Sequence, residues 1–155
     1  MHYSSSTLEE LTFVDSEQLK FLTCQLNKLN FVNINCEDCS GIPNLLRHCA
    51  SSVSEICLTE YVNFEECTFD FNLNELKFVK IWGPKPKVGE FFKAFGGKLK
   101  KLYCEGLDGC LLSIDDSVAK LEYLELHDCR NGVKLIESNS STLNELIVGK
   151  GEIFS

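Results

Sequence analysis

Residues 121–129 read LEYLELHDC, with leucines at the first, fourth and sixth positions. Because Leu124 and Leu126 are two residues apart, a β-strand places both side chains on one face of its sheet. The residues that alternate with them, among them Tyr123 and Glu125, then lie on the other face. The stretch therefore predicts a short strand that is buried on one side and open to solvent on the other.

The same apolar spacing recurs along the chain. An apolar residue is followed by a second one three places on and by a third two places further, and this phrase occurs in seven copies. The copies are Leu8-Leu11-Phe13, Leu26-Leu29-Phe31, Val53-Ile56-Leu58, Leu73-Leu76-Phe78, Leu99-Leu102-Cys104, Leu121-Leu124-Leu126 and Leu143-Leu146-Val148. Their first residues are separated by 18, 27, 20, 26, 22 and 22 residues. Short and long spacings alternate at first, so two consecutive copies are a candidate repeat unit.

The copies also agree outside their apolar positions. Residues 5–11 (SSTLEEL) nearly repeat as residues 140–146 (SSTLNEL), and residues 26–34 (LNKLNFVNI) are similar to residues 73–81 (LNELKFVKI). Most of the spacings between copies fall in the range of roughly 20–29 residues that is typical of leucine-rich repeats, in which each repeat is one coil of a solenoid, and the first spacing is slightly short.

Two segments between the phrases carry apolar residues at helical spacing. The stripes are Ile42, Leu45, Leu46, Cys49 and Val88, Phe91, Phe92, Phe95. Each set lies on one side of an α-helix, so each predicts a helix that packs against the strands. Pro43 and Pro86 stand near the predicted starts, where proline is tolerated. A shorter stripe, Leu111, Ile114 and Val118, precedes Leu121, whereas residues 133–141 are expected to return as extended chain or a single turn.

Parallel strands on one side and helices on the other predict an α/β leucine-rich-repeat solenoid. We expect a right-handed arc with the strands on its concave face and short helices or extended turns on its convex face. Residues 1–155 would form a single domain of about seven repeats. Solenoids need polar caps, and the phrases run close to both ends of the sequence. We therefore expect a fragment of a longer chain, or uncapped ends that self-associate or are covered by partner chains.

The stretch LEYLELHDC resembles the cysteine-containing repeat of F-box/leucine-rich-repeat proteins. Residues 45–49 (LLRHC), followed by Val53, Ile56 and Leu58, resemble the helix-to-strand junction of that family. The resemblance to leucine-rich repeats covers nearly the whole chain. It implies a protein-protein interaction module, namely the substrate-recognition repeats of a ubiquitin-ligase receptor. An adaptor of the ligase would then bind to an N-terminal F-box region that is missing here. The alternative is a stand-alone scaffold, regulatory or immune-type recognition protein without a ligase role.

The composition is that of an ordinary globular protein. The chain has 155 residues, of which 44% are hydrophobic and 25% charged, and a net charge of −8. This acidic balance disfavours nucleic acid as a partner, and no apolar run is long enough to cross a membrane. The nine cysteines are an odd number, and the first residues do not read as a signal peptide. Reduced thiols in a cytoplasmic or nuclear protein are therefore expected.

The register of the phrases predicts which side chains a protein partner contacts on the concave face. The candidates are Val14, Val32, Lys77, Val79, Lys101, Tyr103, Tyr123, Glu125 and His127, with Trp82 at the rim in the loop after the fourth strand. Tyrosines beside charged groups on adjacent strands are typical of interface hot spots. The valines equally suit a half-exposed strand with no partner, and Trp82 equally suits packing over the turn at Pro84.

Lysines are concentrated in one part of this acidic chain. Eight lie between Lys77 and Lys101, where Glu90 is the single acidic residue. They form either a patch for an acidic or phosphorylated partner or a solvated convex face.

No constellation of residues predicts an enzyme. Cys36-x-x-Cys39 followed by His48 is a weak zinc signal, because a second ligand pair at standard spacing is missing from the sequence. The histidines form no nucleophile–base pair, and the glycines form no phosphate-binding motif. We therefore expect no catalytic residue, metal or cofactor.

Overall fold

A computed structural model describes residues 7–107, 114 and 117–150, and these form an α/β fold with one parallel sheet. The strands are β1 (Glu10–Phe13), β2 (Phe31–Ile34), β3 (Glu55–Leu58), β4 (Phe78–Trp82), β5 (Lys101–Glu105), β6 (Tyr123–His127) and β7 (Glu145–Val148). The α-helices of the described residues are α1 (Ile42–His48), α2 (Gly89–Phe95) and α3 (Val133–Asn139), with 3-10 turns at Glu17–Phe21 and Gly96–Lys98. Among these residues, no helix has the length and apolar character that crossing a bilayer requires.

Each strand pairs in parallel with the strand that follows it in sequence, in the order β1 to β7. The pairing aligns two inward rows of apolar side chains. The first row is Leu11, Val32, Ile56, Val79, Leu102, Leu124 and Leu146, and the second is Phe13, Ile34, Leu58, Ile81, Cys104, Leu126 and Val148. From β2 to β6 both rows are fully buried and share one core with the apolar sides of the helices. The inward residues predicted from the sequence are therefore confirmed for β3, β5 and β6.

The register corrects two of the seven predicted phrases. The central residue is Val32 in β2 and Val79 in β4, so the predicted phrases lie three residues too early in both strands. Corresponding residues of successive strands are then 21, 24, 23, 23, 22 and 22 residues apart. The predicted alternation of long and short spacings is therefore wrong. The repeating unit is one strand together with the segment that leads to the next strand.

Both predicted apolar stripes form helices. The residues that α1 and α2 bury are Ile42, Leu45, Leu46, Phe91, Phe92 and Phe95. Proline occupies the first turn of α1, where its missing N–H has no helical partner to lose. In the third predicted stripe, Ile114 and Val118 are buried, and Leu111 lies outside the described residues.

The connection from β3 to β4 is held by aromatic rings. Phe64 stacks on Phe91 of α2 with ring centroids 5.6 Å apart. Phe69 lies edge-on to Phe91 at 5.9 Å and contacts Phe95 at 5.3 Å. These offset and edge-to-face pairs add to the burial of apolar area, so the rings fix an irregular segment against a helix.

The segment after β6 is a helix, which corrects the expected extended return. α3 spans Val133–Asn139, and its last residue is fully buried. The Asn139 amide group donates to the carbonyl oxygens of Val118 and Leu135, and its Oδ1 accepts from the Leu121 N–H, all at 2.9 Å. Because these bonds join α3 to the chain that enters β6, the helix is stabilised by a contact distant in sequence.

We expect Asn139→Ala to lower the free energy of unfolding by about 1–3 kcal/mol, because it leaves the buried Leu121 N–H and Val118 carbonyl without their partner. Chemical denaturation followed by circular dichroism measures the loss. Ser138→Ala is the matched control, because the Ser138 hydroxyl bonds its own helix at an exposed position. Equal and small losses in both variants would contradict the assigned role of Asn139.

Candidate functional site

Side chains that point away from the helices form three rows on the outer side of the sheet, here called the open face. The first row is Glu10, Phe31, Glu55, Phe78, Lys101, Tyr123 and Glu145, and the second is Thr12, Asn33, Cys57, Lys80, Tyr103, Glu125 and Ile147. A third, shorter row is Trp82, Glu105 and His127. Since paired strands lie about 4.8 Å apart, neighbours within a row are close enough to interact.

Five of these side chains form two hydrogen-bonded sets that a ring contact joins, here called the aromatic–acidic cluster: Tyr103, Glu105, Tyr123, Glu125 and His127. The Tyr103 hydroxyl donates to Glu105 Oε2 at 2.6 Å, and the Tyr123 hydroxyl donates to Glu125. His127 Nε2 lies 2.7 Å from Glu125 Oε1, and the His127 ring lies 5.5 Å from that of Tyr103. The cluster therefore presents rings and carboxylates to solvent in a fixed arrangement.

These hydrogen bonds shift the pKa values of the cluster. The bond to Glu105, followed by desolvation, raises the pKa of Tyr103 to about 12. The bond to Glu125 and desolvation likewise raise the pKa of Tyr123 to about 12. The pKa of Glu125 is lowered, first by the Tyr123 hydroxyl and then by His127. At neutral pH both tyrosines are thus hydroxyl donors and Glu125 is a carboxylate.

A second group on the open face joins β3, β4, β5 and β6. Lys80 Nζ lies 3.1 Å from a Glu55 carboxylate oxygen and 5.2 Å from the centre of the Phe78 ring. Lys101 Nζ lies 5.9 Å from the centre of the Tyr123 ring, and Phe78 meets that ring edge-on at 6.5 Å. These cation–π and edge-to-face contacts make the aromatic side chains continuous from β4 to β6.

Trp82 is the last residue of β4 rather than part of the following loop, which corrects its predicted place. It pairs with Glu105 of β5, so it lies beside the aromatic–acidic cluster. Its indole N–H counters part of the rise that burial causes in the pKa of Cys57. The side chain is 44% exposed, so a large aromatic surface remains at the edge of the open face.

Gly149 shapes the position of His127, and sequence reasoning missed it. A Cβ atom on Gly149 would lie 1.9 Å from His127 Nδ1, well inside van der Waals contact. The ring could not stay in place beside a larger residue. Gly149 therefore permits the ring position from which His127 reaches Glu125.

Most of the site residues predicted from the sequence lie on the open face. Lys101, Tyr103, Tyr123, Glu125 and His127 occupy its rows on β5 and β6. Whether they bind a partner stays a prediction.

The predicted column of exposed valines is wrong. Val32 and Val79 have no exposed surface, because each is the central inward residue of its strand. Val14 is 72% exposed but follows the end of β1, and Lys77 is exposed but precedes the start of β4. Neither therefore occupies a row of the open face.

Phe78, Lys80 and Glu105 belong to the site and were not among the predicted residues. Phe78 and Lys80 flank Val79, so the shifted register of β4 concealed them. Glu105 follows Tyr103 by two residues and therefore points to the same side of β5. An even spacing between repeats is the signal that identifies Phe78 and Lys80, and the two-residue period of a strand identifies Glu105.

We expect Tyr103 and Tyr123 to stay largely protonated near pH 11, where an ordinary tyrosine of pKa about 10 is ionised. The ring-carbon resonances of labelled tyrosine report ionisation across the alkaline range. Glu105→Ala should bring Tyr103 ionisation down towards pH 10, and Glu125→Ala should do the same for Tyr123. The folded chain keeps protons that the unfolded chain loses near pH 10, so the contribution of these tyrosines to stability falls above that pH.

Glu122→Ala is the control for this titration. Glu122 pairs with Lys100 at 2.7 Å and makes no bond to either tyrosine. Ionisation of both tyrosines near pH 10 in the wild-type protein would contradict the hydrogen bonds of the cluster.

No protein-family model, curated protein or solved structure matches the chain. In the described residues, no three histidine, cysteine, aspartate or glutamate side chains are grouped so that they could hold a metal ion. Function is therefore inferred from the surface chemistry of the open face.

Proposed function

We propose that the chain is a leucine-rich-repeat solenoid whose open face is a concave protein-binding surface. The successive strands differ by 21 to 24 residues, which lies within the roughly 20–29 residues of leucine-rich repeats. Consecutive strands are also neighbours in the sheet, as stacked repeats require. In such solenoids the strands line the inner surface, where a partner can contact many repeats at once.

The observation that carries the proposal is the aromatic–acidic cluster. Tyrosine and tryptophan supply large contact areas with little loss of side-chain entropy, and they are enriched at binding hot spots. Here Tyr103, Tyr123 and Trp82 lie on three consecutive strands, and Glu105 and Glu125 lie between them. Carboxylates held beside aromatic rings suit an arginine or lysine side chain of a partner, through charge-assisted hydrogen bonds and cation–π contact.

The experiment compares three baits made from the full-length protein and expressed in its own cells. They are the wild type, the double variant Tyr103→Ala/Tyr123→Ala, and Tyr61→Ala, an exposed tyrosine in the turn after β3. We expect partners of the wild type to be retained by Tyr61→Ala and to fall about tenfold or more with the double variant, since hot-spot truncations cost about 2 kcal/mol or more. Equal recovery by all three baits would exclude the open face as the binding site.

A narrower proposal, a role as the substrate receptor of an F-box ubiquitin ligase, rests only on the sequence resemblance of residues 121–129 and 45–58. The same purification tests it separately, because an F-box-binding adaptor and a cullin should then be recovered with wild type and double variant alike. Recovery of open-face partners without adaptor and cullin would favour the scaffold or regulatory alternative and leave the binding proposal intact.

A further inference from the structure

Cys36 and Cys39 lie on the segment between β2 and α1, and their sulfur atoms face each other. The two Sγ atoms are 3.8 Å apart, and the Cys39 thiol donates to the Cys36 carbonyl oxygen at 3.2 Å. A disulfide bond is about 2.05 Å long, so the two sulfur atoms would need to approach by less than about 2 Å. The pair is thus positioned for a bond that closes a loop of only two intervening residues.

A surface cleft adjoins one residue of this pair, although both are buried, with Cys36 3% and Cys39 2% exposed. The cleft has a volume of about 300 Å³ and is lined by Glu37, Asp38, Cys39, Ser40, Asn63, Glu66 and Cys67. Cys39 contributes to its wall and Cys36 does not. Three acidic side chains in the lining disfavour anionic oxidants such as glutathione disulfide, whereas hydrogen peroxide is small and uncharged.

The two thiols have different surroundings, which give them different chemical roles. Hydrogen bonds from Cys36 and from the Asn63 backbone N–H hold the pKa of Cys39 below its ordinary value, against the opposing effect of burial. The pKa of Cys36 is raised, first by its hydrogen bond to Cys39 and then by burial. Of the two thiols, Cys39 therefore loses its proton more readily to become the attacking thiolate, and Cys36 keeps its proton beside it.

We propose that Cys36 and Cys39 are a peroxide-responsive dithiol that closes to an internal disulfide, a property separate from binding at the open face. The Cys39 thiolate attacks one oxygen of hydrogen peroxide, the O–O bond breaks, and the departing hydroxide takes a proton to become water. Cys36 sulfur then attacks the sulfur of the Cys39 sulfenic acid, the S–O bond breaks, and the second hydroxide leaves as water with the Cys36 proton. Two thiols and one peroxide give one disulfide and two water molecules.

The sequence allows a direct test by mass spectrometry. Cleavage after Lys28 and Arg47 releases residues 29–47, which contain Cys36 and Cys39 and no other cysteine. The internal disulfide therefore appears in the folded wild-type protein as this peptide lacking two hydrogens, after free thiols are blocked. Cys24 lies in residues 21–28 and is exposed, so that peptide measures the reactivity of an unassisted thiol.

At one equivalent of hydrogen peroxide, we expect the disulfide in residues 29–47 to form about tenfold faster than Cys24 is oxidised. Cys67→Ser should leave this result unchanged, although Cys67 donates to the Cys39 carbonyl oxygen at 3.4 Å. Cys36→Ser should stop the reaction at a Cys39 sulfenic acid that a cyclic diketone traps. Oxidation of Cys24 before residues 29–47, or recovery of Cys39 linked to Cys67, would overturn the proposal, and both are read in the wild type even if a variant does not fold.

Discussion

Val79→Asp is expected to lower the free energy of unfolding by about 4 kcal/mol or more. This loss is a large part of the total free energy of unfolding of a typical domain, so the variant is expected to lose cooperative folding. Val79 has no exposed surface and is the central inward residue of β4, paired with Ile56 and Leu102. The substitution removes an apolar contact and places a carboxylate in the core without a partner. Urea denaturation followed by circular dichroism measures the loss.

Lys77→Asp is the matched control, because Lys77 lies two residues earlier and is exposed. Its ion pair with Glu75 is long, at 4.0 Å, and exposed, so the expected change is within about 1 kcal/mol. The pair of variants distinguishes the two registers of β4. If Leu76 were the central inward residue, Val79 would face solvent, and Val79→Asp would be tolerated.

Phe91→Ala is expected to lower the free energy of unfolding by about 3–5 kcal/mol. The Phe91 ring is fully buried, stacks on Phe64, and meets Phe92 and Phe95 edge-on at 5.4 Å and 5.0 Å. Truncation leaves a cavity at the point where α2 packs against the connection from β3 to β4. We expect the surrounding side chains to fill little of this cavity. The midpoint of chemical unfolding and its slope give the loss.

Phe21→Ala provides the comparison for this truncation, since Phe21 is 74% exposed. Its loss should stay below about 1 kcal/mol because little buried area is removed. A small effect of Phe91→Ala, similar to that of Phe21→Ala, would show that the phenylalanine rings do not anchor the connection.

Strands and two helices follow from local apolar spacing, but the register of β2 and β4 does not. Residues 26–34 contain two overlapping phrases, Leu26-Leu29-Phe31 and Leu29-Val32-Ile34, and residues 73–81 contain the same pair of alternatives. Local spacing fits both alternatives in each strand. The structure selects the second, which makes the repeat lengths nearly even and buries the β-branched residues that suit strand interiors.

The helix α3 could not be predicted from its own residues. Residues 133–141 contain few apolar positions, and the segment is short for a helix that must be stable by itself. Its last residue, Asn139, bonds the backbone at Val118 and Leu121. That contact joins residues 18 to 21 positions apart, so it depends on the finished packing of two return segments.

The candidate site was predictable where the phrase itself was unambiguous. Tyr103, Tyr123 and Glu125 alternate with inward residues of β5 and β6, so their shared face follows from the two-residue period of a strand. That His127 and Glu125 share this face also follows from that period. The close approach of Gly149 to His127 depends on the next strand, β7, and is a tertiary contact without a local signal.

The measurement that tests the central claim most directly is site-specific photo-crosslinking in the full-length protein within its own cells. A photoreactive side chain replaces either Lys80, on the open face, or Lys93, exposed on α2 at the opposite side of the core. A protein-binding open face predicts one partner crosslinked from position 80 and absent from position 93. Crosslinking of that partner from position 93 and not from position 80 would place the binding surface on the helices and contradict the proposed function.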